Sequence, residues 1–213
     1  MEMKITYTIG THNEGEVIKS LFNLLMQSLN FSQDELLIVD DYSTDKLTCN
    51  ILTAIQGYTS STRNIKVLKH TLNKDFATHK NFMTDNSSGD FIFNIDADEF
   101  PSDYLLANVK TILESNSSVE MVWLPRVNVV DGITDEDIQR YGWQVNDRGW
   151  VNFPDHQGRI YKRSPEIRWQ HKVHEVLTGY KQFALLPDEE QFALYHLKSI
   201  EKQRQQNEFY STI

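Results

Sequence analysis

Short apolar runs alternate with helically spaced apolar positions over the first half of the chain. Lys4 to Gly10 carries the β-rich segment Ile5-Thr6-Tyr7-Thr8-Ile9 and predicts a first strand. Residues 15–29 then place Val17, Ile18, Leu21, Leu24, Leu25 and Leu29 on one face of a helix. Leu36-Leu37-Ile38-Val39 is a continuous apolar run ending in Asp40-Asp41, the pattern of a strand buried on both faces. A helix is predicted over 45–57, with Ser43, Thr44 or Asp45 as its N-cap. Ile65 to Leu68 follows as a third strand and Ala77 to Thr84 as a short helix. Phe91-Ile92-Phe93-Asn94-Ile95 makes a fourth strand that runs straight into Asp96. Pro101-Ser102-Asp103 opens a helix over 103–113.

Alternation of this kind predicts an α/β domain with a mainly parallel, Rossmann-like sheet flanked by helices. Such sheets bind ligands beyond the carboxyl ends of their strands. The polar clusters fall at those ends: Thr11-His12-Asn13-Glu14 after the first strand, Asp40-Asp41 after the second, Asp96-Ala97-Asp98-Glu99 after the fourth. The second half reads differently. Met121 to Val130 is one long β-rich run, and residues 131–156 read as a long polar loop containing Tyr141, Trp143 and Trp150. Gly158 to Tyr161 and Phe183 to Leu186 predict strands, and residues 197–210 a polar terminal helix. No repeat or linker interrupts the chain. One domain over 1–213 is expected, with a donor-binding half at 1–100 and an acceptor-side half at 101–213.

Composition narrows the chemistry. Of 213 residues, 39% are apolar and 24% charged, as in globular proteins, and the net charge of −9 argues against a broad nucleic-acid surface. Cys49 is the single cysteine, which excludes an internal disulfide framework and a multi-cysteine zinc site. No apolar run is long enough to cross a bilayer, and no secretory segment follows Met1. A reducing, cytoplasmic compartment is expected.

Asp96 and Asp98 flank a small residue, Ala97, just past a buried strand. Two carboxylates so close repel one another, and a divalent cation relieves the repulsion. Hard oxygen ligands suit Mg²⁺ or Mn²⁺, which complete their shell with substrate phosphates. The competing reading is a pair of turn or cap aspartates. Asp40 and Asp41 can accept from a uracil imide or a ribose hydroxyl, or they can cap the next helix. His174-Glu175 offers a proton acceptor, or an exposed polar loop. His196, in Leu194-Tyr195-His196-Leu197, is either a third metal ligand or a satisfied core histidine. Lys80, Arg126, Arg159 and Arg163 are candidate diphosphate contacts, and the aromatics at 141–150 suit sugar stacking.

These residues resemble family-2 glycosyltransferases. Tyr7-Thr8-Ile9-Gly10-Thr11-His12-Asn13-Glu14 is similar to their first strand and Thr-x-Asn-Glu turn. Val39-Asp40-Asp41-Tyr42-Ser43-Thr44-Asp45 is similar to Val-Asp-Asp-Gly-Ser-Thr-Asp, with Tyr42 in place of glycine. Lys80-Asn81 and Gly89-Asp90 through Asp96-Ala97-Asp98-Glu99 resemble their Arg-Asn and Gly-Asp-Tyr-Ile-Leu-x-Leu-Asp-Ala-Asp-Glu. The Asp-Ala-Asp-Glu form resembles the branch of lipopolysaccharide-core glucosyltransferases and peptide S-glycosyltransferases. Arg159-Ile160-Tyr161-Lys162-Arg163 and Val173-His174-Glu175 resemble later pieces of that branch.

The resemblance implies a GT-A fold, Mn²⁺ or Mg²⁺, and inversion at the anomeric carbon. The donor it implies is a nucleoside-diphosphate sugar, a UDP-sugar first among them. It places donor binding at Thr11, Asn13, Glu14, Asp40, Asp41, Lys80, Asp96, Ala97 and Asp98, metal at Asp96 and Asp98, and the base at Glu175 or else Glu99. The acceptor (glycan, lipid-linked sugar or protein) is left open. Lys80 in place of arginine loses a bidentate fork on phosphate. A Gln-x-x-Arg-Trp motif is absent, which sets the chain apart from processive synthases. Rival readings are a nucleotidyltransferase or phosphatase, disfavoured because residues 9–15 hold only Gly10 and Gly15, and a non-catalytic carbohydrate-binding or scaffold protein of the same fold.

Overall fold

The computed structural model describes residues 2–59 and 63–210. The elements are, in chain order, β1 (Ile5–Thr11), α1 (Gly15–Ser28), β2 (Glu35–Asp40), α2 (Lys46–Gln56), β3 (Asn64–Lys69) and α3 (Phe76–Asn86). Then come β4 (Phe91–Asp96), β5 (Glu99–Pro101), α4 (Asp103–Ser115), β6 (Met121–Leu124), β7 (Arg126–Asp131) and α5 (Asp135–Tyr141). The chain continues through β8 (Gln157–Lys162), β9 (Arg168–Gln170), β10 (Val176–Thr178), β11 (Phe183–Leu185), β12 (Leu194–Ser199) and α6 (Ile200–Tyr210).

A seven-stranded sheet in the order β11-β6-β8-β4-β1-β2-β3 forms the centre, and β8 runs antiparallel to both its neighbours. The other pairings in it are parallel. The apolar run of β2 explains its position. Leu36 and Ile38 face the main core with Tyr7, Phe93, Leu21 and Leu105, while Leu37 and Val39 face Met83 of α3. Helices on both faces thus bury both sides of the strand, which is why its sequence does not alternate. A smaller sheet, β5-β12-β7, stands beyond the end of β4, and β9 pairs antiparallel with β10 beside α3. Among the described residues no helix is long and apolar enough to cross a membrane.

Three expectations are corrected. The run Met121 to Val130 is two strands, because Pro125 lacks an N–H and breaks the ladder: β6 joins the large sheet and β7 the small one. Residues 131–156 contain helix α5, started by a capping box in which the Thr134 hydroxyl accepts the Asp137 N–H and Asp137 accepts the Thr134 N–H. Gly142, at φ 64°, ends it in the left-handed conformation. The terminal helix starts at Ile200, and residues 194–199 are strand β12, paired parallel to β7 and antiparallel to β5. The caps of α2 and α4 are Asp45, which accepts from the Thr48 N–H, and Ser102, which accepts from the Leu105 N–H.

Candidate functional site

A cleft of about 960 Å³ opens beyond the carboxyl ends of β1, β2 and β4. Its wall on the β2 side includes Thr11, His12, Asp41, Leu72 and His79, and its far wall Trp123, Trp143, Asp155 and Trp169. Asp96, Ala97 and Asp98 lie between them, with Lys80, Glu175 and His196 also facing the cleft.

The strand-end turns divide the sequence candidates. The Asp41 Oδ1 accepts the Leu72 N–H at 2.8 Å, so the carboxylate is anchored at the cleft wall. Asp40 is 2% exposed and accepts the Ser43 N–H at 2.9 Å, which holds the turn under the cleft rather than lining it. Asn13, at φ 55°, accepts the Thr44 and Asp45 N–H groups at 2.8 and 3.1 Å, tying the first turn to the second. Thr11 lies in the wall with a buried hydroxyl that has no hydrogen-bond partner among the described residues.

Asp96 sits at the edge of a charged cluster that continues into the protein. Arg159 Nη2 lies 2.5 Å from Asp96 Oδ2 and 2.6 Å from Glu99 Oε1, and Lys80 Nζ lies 3.4 Å from Asp96 Oδ1. Arg126 bridges Glu99, at 3.1 Å, and Asp155, at 2.6 Å. Burial works against charge on Asp96, yet Arg159, Lys80 and Arg126 hold its carboxyl well below the usual carboxylate range. Burial likewise opposes charge on Asp155, and Arg126 and Asn128 outweigh it. Glu99 is fully buried and its carboxylate also accepts the Asp96 N–H at 3.1 Å, so it braces the Asp-Ala-Asp turn from below and does not reach the cleft. Arg126 and Arg159, expected on phosphate, are occupied with carboxylates, and Arg163 donates to the Gly89 carbonyl away from the cleft.

Glu175 follows the turn between β9 and β10, where His171 and His174 both have positive φ. Its Oε1 lies 2.6 Å from Lys80 Nζ, and that ammonium stands over the Trp169 ring, 4.6 Å from its centroid. Lys80 therefore joins Glu175 to Asp96.

Asp98 faces a different set. Its Oδ2 is 3.5 Å from His196 Nε2 and 3.2 Å from Lys202 Nζ, and Lys202 also meets both Glu14 oxygens at 3.1 Å. Burial opposes its charge, but His196 and Lys202 hold its carboxyl below the usual range. Burial likewise opposes charge on Lys202, and Asp98 and Glu14 raise it above its ordinary value. The proton at His196 Nδ1 can be deduced. The Asn128 amide nitrogen donates to Asp155 Oδ2 at 2.9 Å and to the Val151 carbonyl, both acceptors only. Its oxygen must then face His196 Nδ1, 2.8 Å away, so Nδ1 carries a proton and Nε2 is the ring nitrogen turned toward Asp98 Oδ2, 3.5 Å away. Asn128, Asp155 and Lys202 had no motif to announce them, because strands β7 and β12 and helix α6 assemble only in the tertiary fold. Among the described residues no three His, Cys, Asp or Glu side chains converge as a ready metal cage.

Solved structures of similar shape show the fold. S. aureus TarS, residues 1–349, matches with TM-score 0.64 at 16% identity, covering 92% of this chain and 60% of that one. The same protein in complex with UDP matches with TM-score 0.65 at 17% identity, over 95% and 63%. A mannosyltransferase from Pyrobaculum calidifontis, in complex with GDP-Man and Mn²⁺, matches with TM-score 0.50 at 19% identity, over 59% and 36%. The fold is thus the Rossmann-like GT-A type. Residues 8–183 match the model of Glycosyl transferase family 2, and the chain belongs to that family. An uncharacterised glycosyltransferase of Mycoplasma pneumoniae is 35% identical over 113 residues, which is 51% of this chain and 35% of that protein. The chain spans about a third of that relative's length. The family match ends before His196 and Lys202.

Proposed function

We propose that residues 1–213 act as one catalytic domain, cytoplasmic, that transfers a sugar from a UDP-sugar to an acceptor hydroxyl with inversion, dependent on Mn²⁺ or Mg²⁺. The observation that carries the reading is the meeting of Asp96, Asp98 and Glu175 in one cleft at the carboxyl ends of β1, β2 and β4. The Asp96-Ala97-Asp98-Glu99 form supports placement in the branch that resembles lipopolysaccharide-core glucosyltransferases.

The donor set fits a divalent cation. Two strand-end carboxylates and a neutral imidazole are the N/O chemistry that Mn²⁺ takes. His196 Nε2 and Asp98 Oδ2 face one another at 3.5 Å, and a cation that takes the place of any proton between them would have both as ligands. Asn128 fixes the ring from behind, as metal-bound histidines require. Asp98 and His196 would hold the ion with Asp96 as the second carboxylate, and when bound it would supply Lewis-acid stabilisation of the departing diphosphate.

Residues of this chain do the rest. Asp41 accepts from the nucleoside at the wall that also carries Thr11. Arg159 fixes Asp96, and Glu99 fixes Arg159, so the turn is set before the donor arrives. Glu175 takes the proton of the acceptor hydroxyl; the oxygen then bonds to the anomeric carbon as the bond to the diphosphate oxygen breaks on the opposite face. Lys80 places a positive charge between the base and the metal end of the cleft.

Calorimetric titration of UDP, GDP and dTDP, with and without Mn²⁺, tests the reading on wild type and Asp98→Ala. UDP binding that needs Mn²⁺ and is lost in the variant is expected. No nucleotide binding under any condition would leave the non-catalytic reading in its place. Glu175→Gln should bind donor normally and lose transfer.

A further inference from the structure

Helix α6 lies across the mouth of the cleft, which Lys202, Gln203, Gln206 and Asn207 help to line. Its attachment is mostly polar. Ile200 is buried against Val130 and Val151, and the other described side chains of the helix are half-buried or exposed. Arg204 Nη2 meets Asp137 Oδ1 of α5 at 2.7 Å, and Lys198 Nζ donates to Gln206 at 2.9 Å. An element with little apolar burial, held by polar contacts whose cations are partly exposed, opens at lower cost than the packed core.

Its innermost contact is the Lys202 ammonium, 3.2 Å from Asp98 Oδ2 and 3.1 Å from both Glu14 oxygens. The geometry points to α6 as a lid and to Lys202 as its latch, an internal cation that holds Asp98 while the cleft is empty and that a divalent cation must displace. This rests on the reading of Asp98 as a metal ligand. A doubly charged ion at about 2.1 Å attracts a carboxylate oxygen about three times as strongly as a single charge at the latch distance, so the metal wins and α6 is released. Metal affinity is then reduced by the fraction of molecules in the latched state. Arg204, on the face toward α5, holds the lid shut without touching the cleft acids.

The test titrates MnCl₂ alone, with no nucleotide, into wild type, Lys202→Met, Arg204→Met and Asp98→Asn, and follows amide exchange over residues 200–209. Lys202→Met and Arg204→Met should each bind Mn²⁺ at least about threefold tighter than wild type. Saturating wild type with Mn²⁺ should strip exchange protection from α6. Arg204→Met leaves Lys202, Glu14 and Asp98 in place, so it separates the lid from local charge. Mn²⁺ binding that requires Asp98 yet is unchanged or weaker in both variants, with α6 protection unaltered, overturns the latch alone. Binding that is absent, or the same in Asp98→Asn as in wild type, overturns the latch together with the metal reading beneath it.

Discussion

Glu99 is the residue on which the two readings of the acidic motif divide. As a base it would have to meet the acceptor; as placed, it is 0% exposed beneath Asp96 and accepts three hydrogen bonds. Glu99→Gln keeps its shape and removes its charge. With the amide oxygen toward Arg126 and Arg159, the amide nitrogen points at the Asp96 N–H, donor against donor. With the amide reversed, the same nitrogen meets two guanidiniums. The first arrangement is the better one. Two guanidinium bonds lose their anionic acceptor, each weakening by about 1 kcal/mol, and a buried N–H left unpaired costs about 1–3 kcal/mol more. Relief of repulsion between Glu99 and Asp96 works the other way, but Arg159 lies between them and already screens it. The sum, about 3–5 kcal/mol, agrees with the cost of removing one member of a buried ion pair.

For a chain of 213 residues each kilocalorie moves the melting midpoint by about 2–4 °C, so a fall of roughly 6–20 °C is expected. Urea unfolding followed by circular dichroism at pH 7 gives the free energy directly. Glu175→Gln should change stability far less, since Lys80 keeps Asp96 as a partner at 3.4 Å. Transfer should survive in Glu99→Gln well below its midpoint and vanish in Glu175→Gln. A Glu99→Gln protein within about 1 kcal/mol of wild type would refute the bracing argument, and one that is stable but inactive would move the base to Glu99.

A methyl group at Gly89 would meet backbone atoms, 2.5 Å from the Thr6 nitrogen and 2.8 Å from the Phe91 oxygen, and neither can move without parting β1 from β4. Gly89→Ala should therefore cost about 3 kcal/mol, read from the urea midpoint. Ser102→Ala removes the cap of α4 and the hydroxyl bond to the Gln191 carbonyl, and should cost about 1 kcal/mol by the same measurement. Burial, then the neighbouring His70, lowers the pKa of His79 to about 4. Between pH 6.5 and 4 the unfolded chain binds the extra proton, so His79 makes stability rise with pH there, by about 2–3 kcal/mol across the window. His79→Gln should shrink the gap between urea midpoints at pH 7 and 4.5; an unchanged gap would put the pH dependence elsewhere.

The first half of the fold was legible because its physics is local. Strand β2 has helices on both faces and is therefore continuously apolar from Leu36 to Val39, and each acidic turn follows the strand that ends in it. The second half depends on partners far away in sequence. Helix α5 is polar at every position except Ile138 and Tyr141, and its clear signal, Thr134-x-x-Asp137, is a capping box with aspartate in the place where glutamate is usual. Strand β12 is short and alternates, and it ends at a helix whose polar surface hides the boundary at Ile200.

The same distinction runs through the site. Residue type announced which groups carry charge but not which of them would spend that charge on one another. Arg159 and Arg126 looked like phosphate ligands because cations near an acidic motif commonly are. Both line the cleft, yet each is paired with buried Glu99 and with a second carboxylate, Asp155 for Arg126 and Asp96 for Arg159. Lys80 and Lys202 differ in that their carboxylate partners, Asp96 and Glu175 for one and Asp98 and Glu14 for the other, all face the open volume. On the proposed function, a diphosphate and its metal would compete for the members of these pairs. Buried Glu99 and its arginines set the geometry of the acidic turn, and the pairs of Lys80 and Lys202 are the ones that would exchange partners on the proposed binding of a donor.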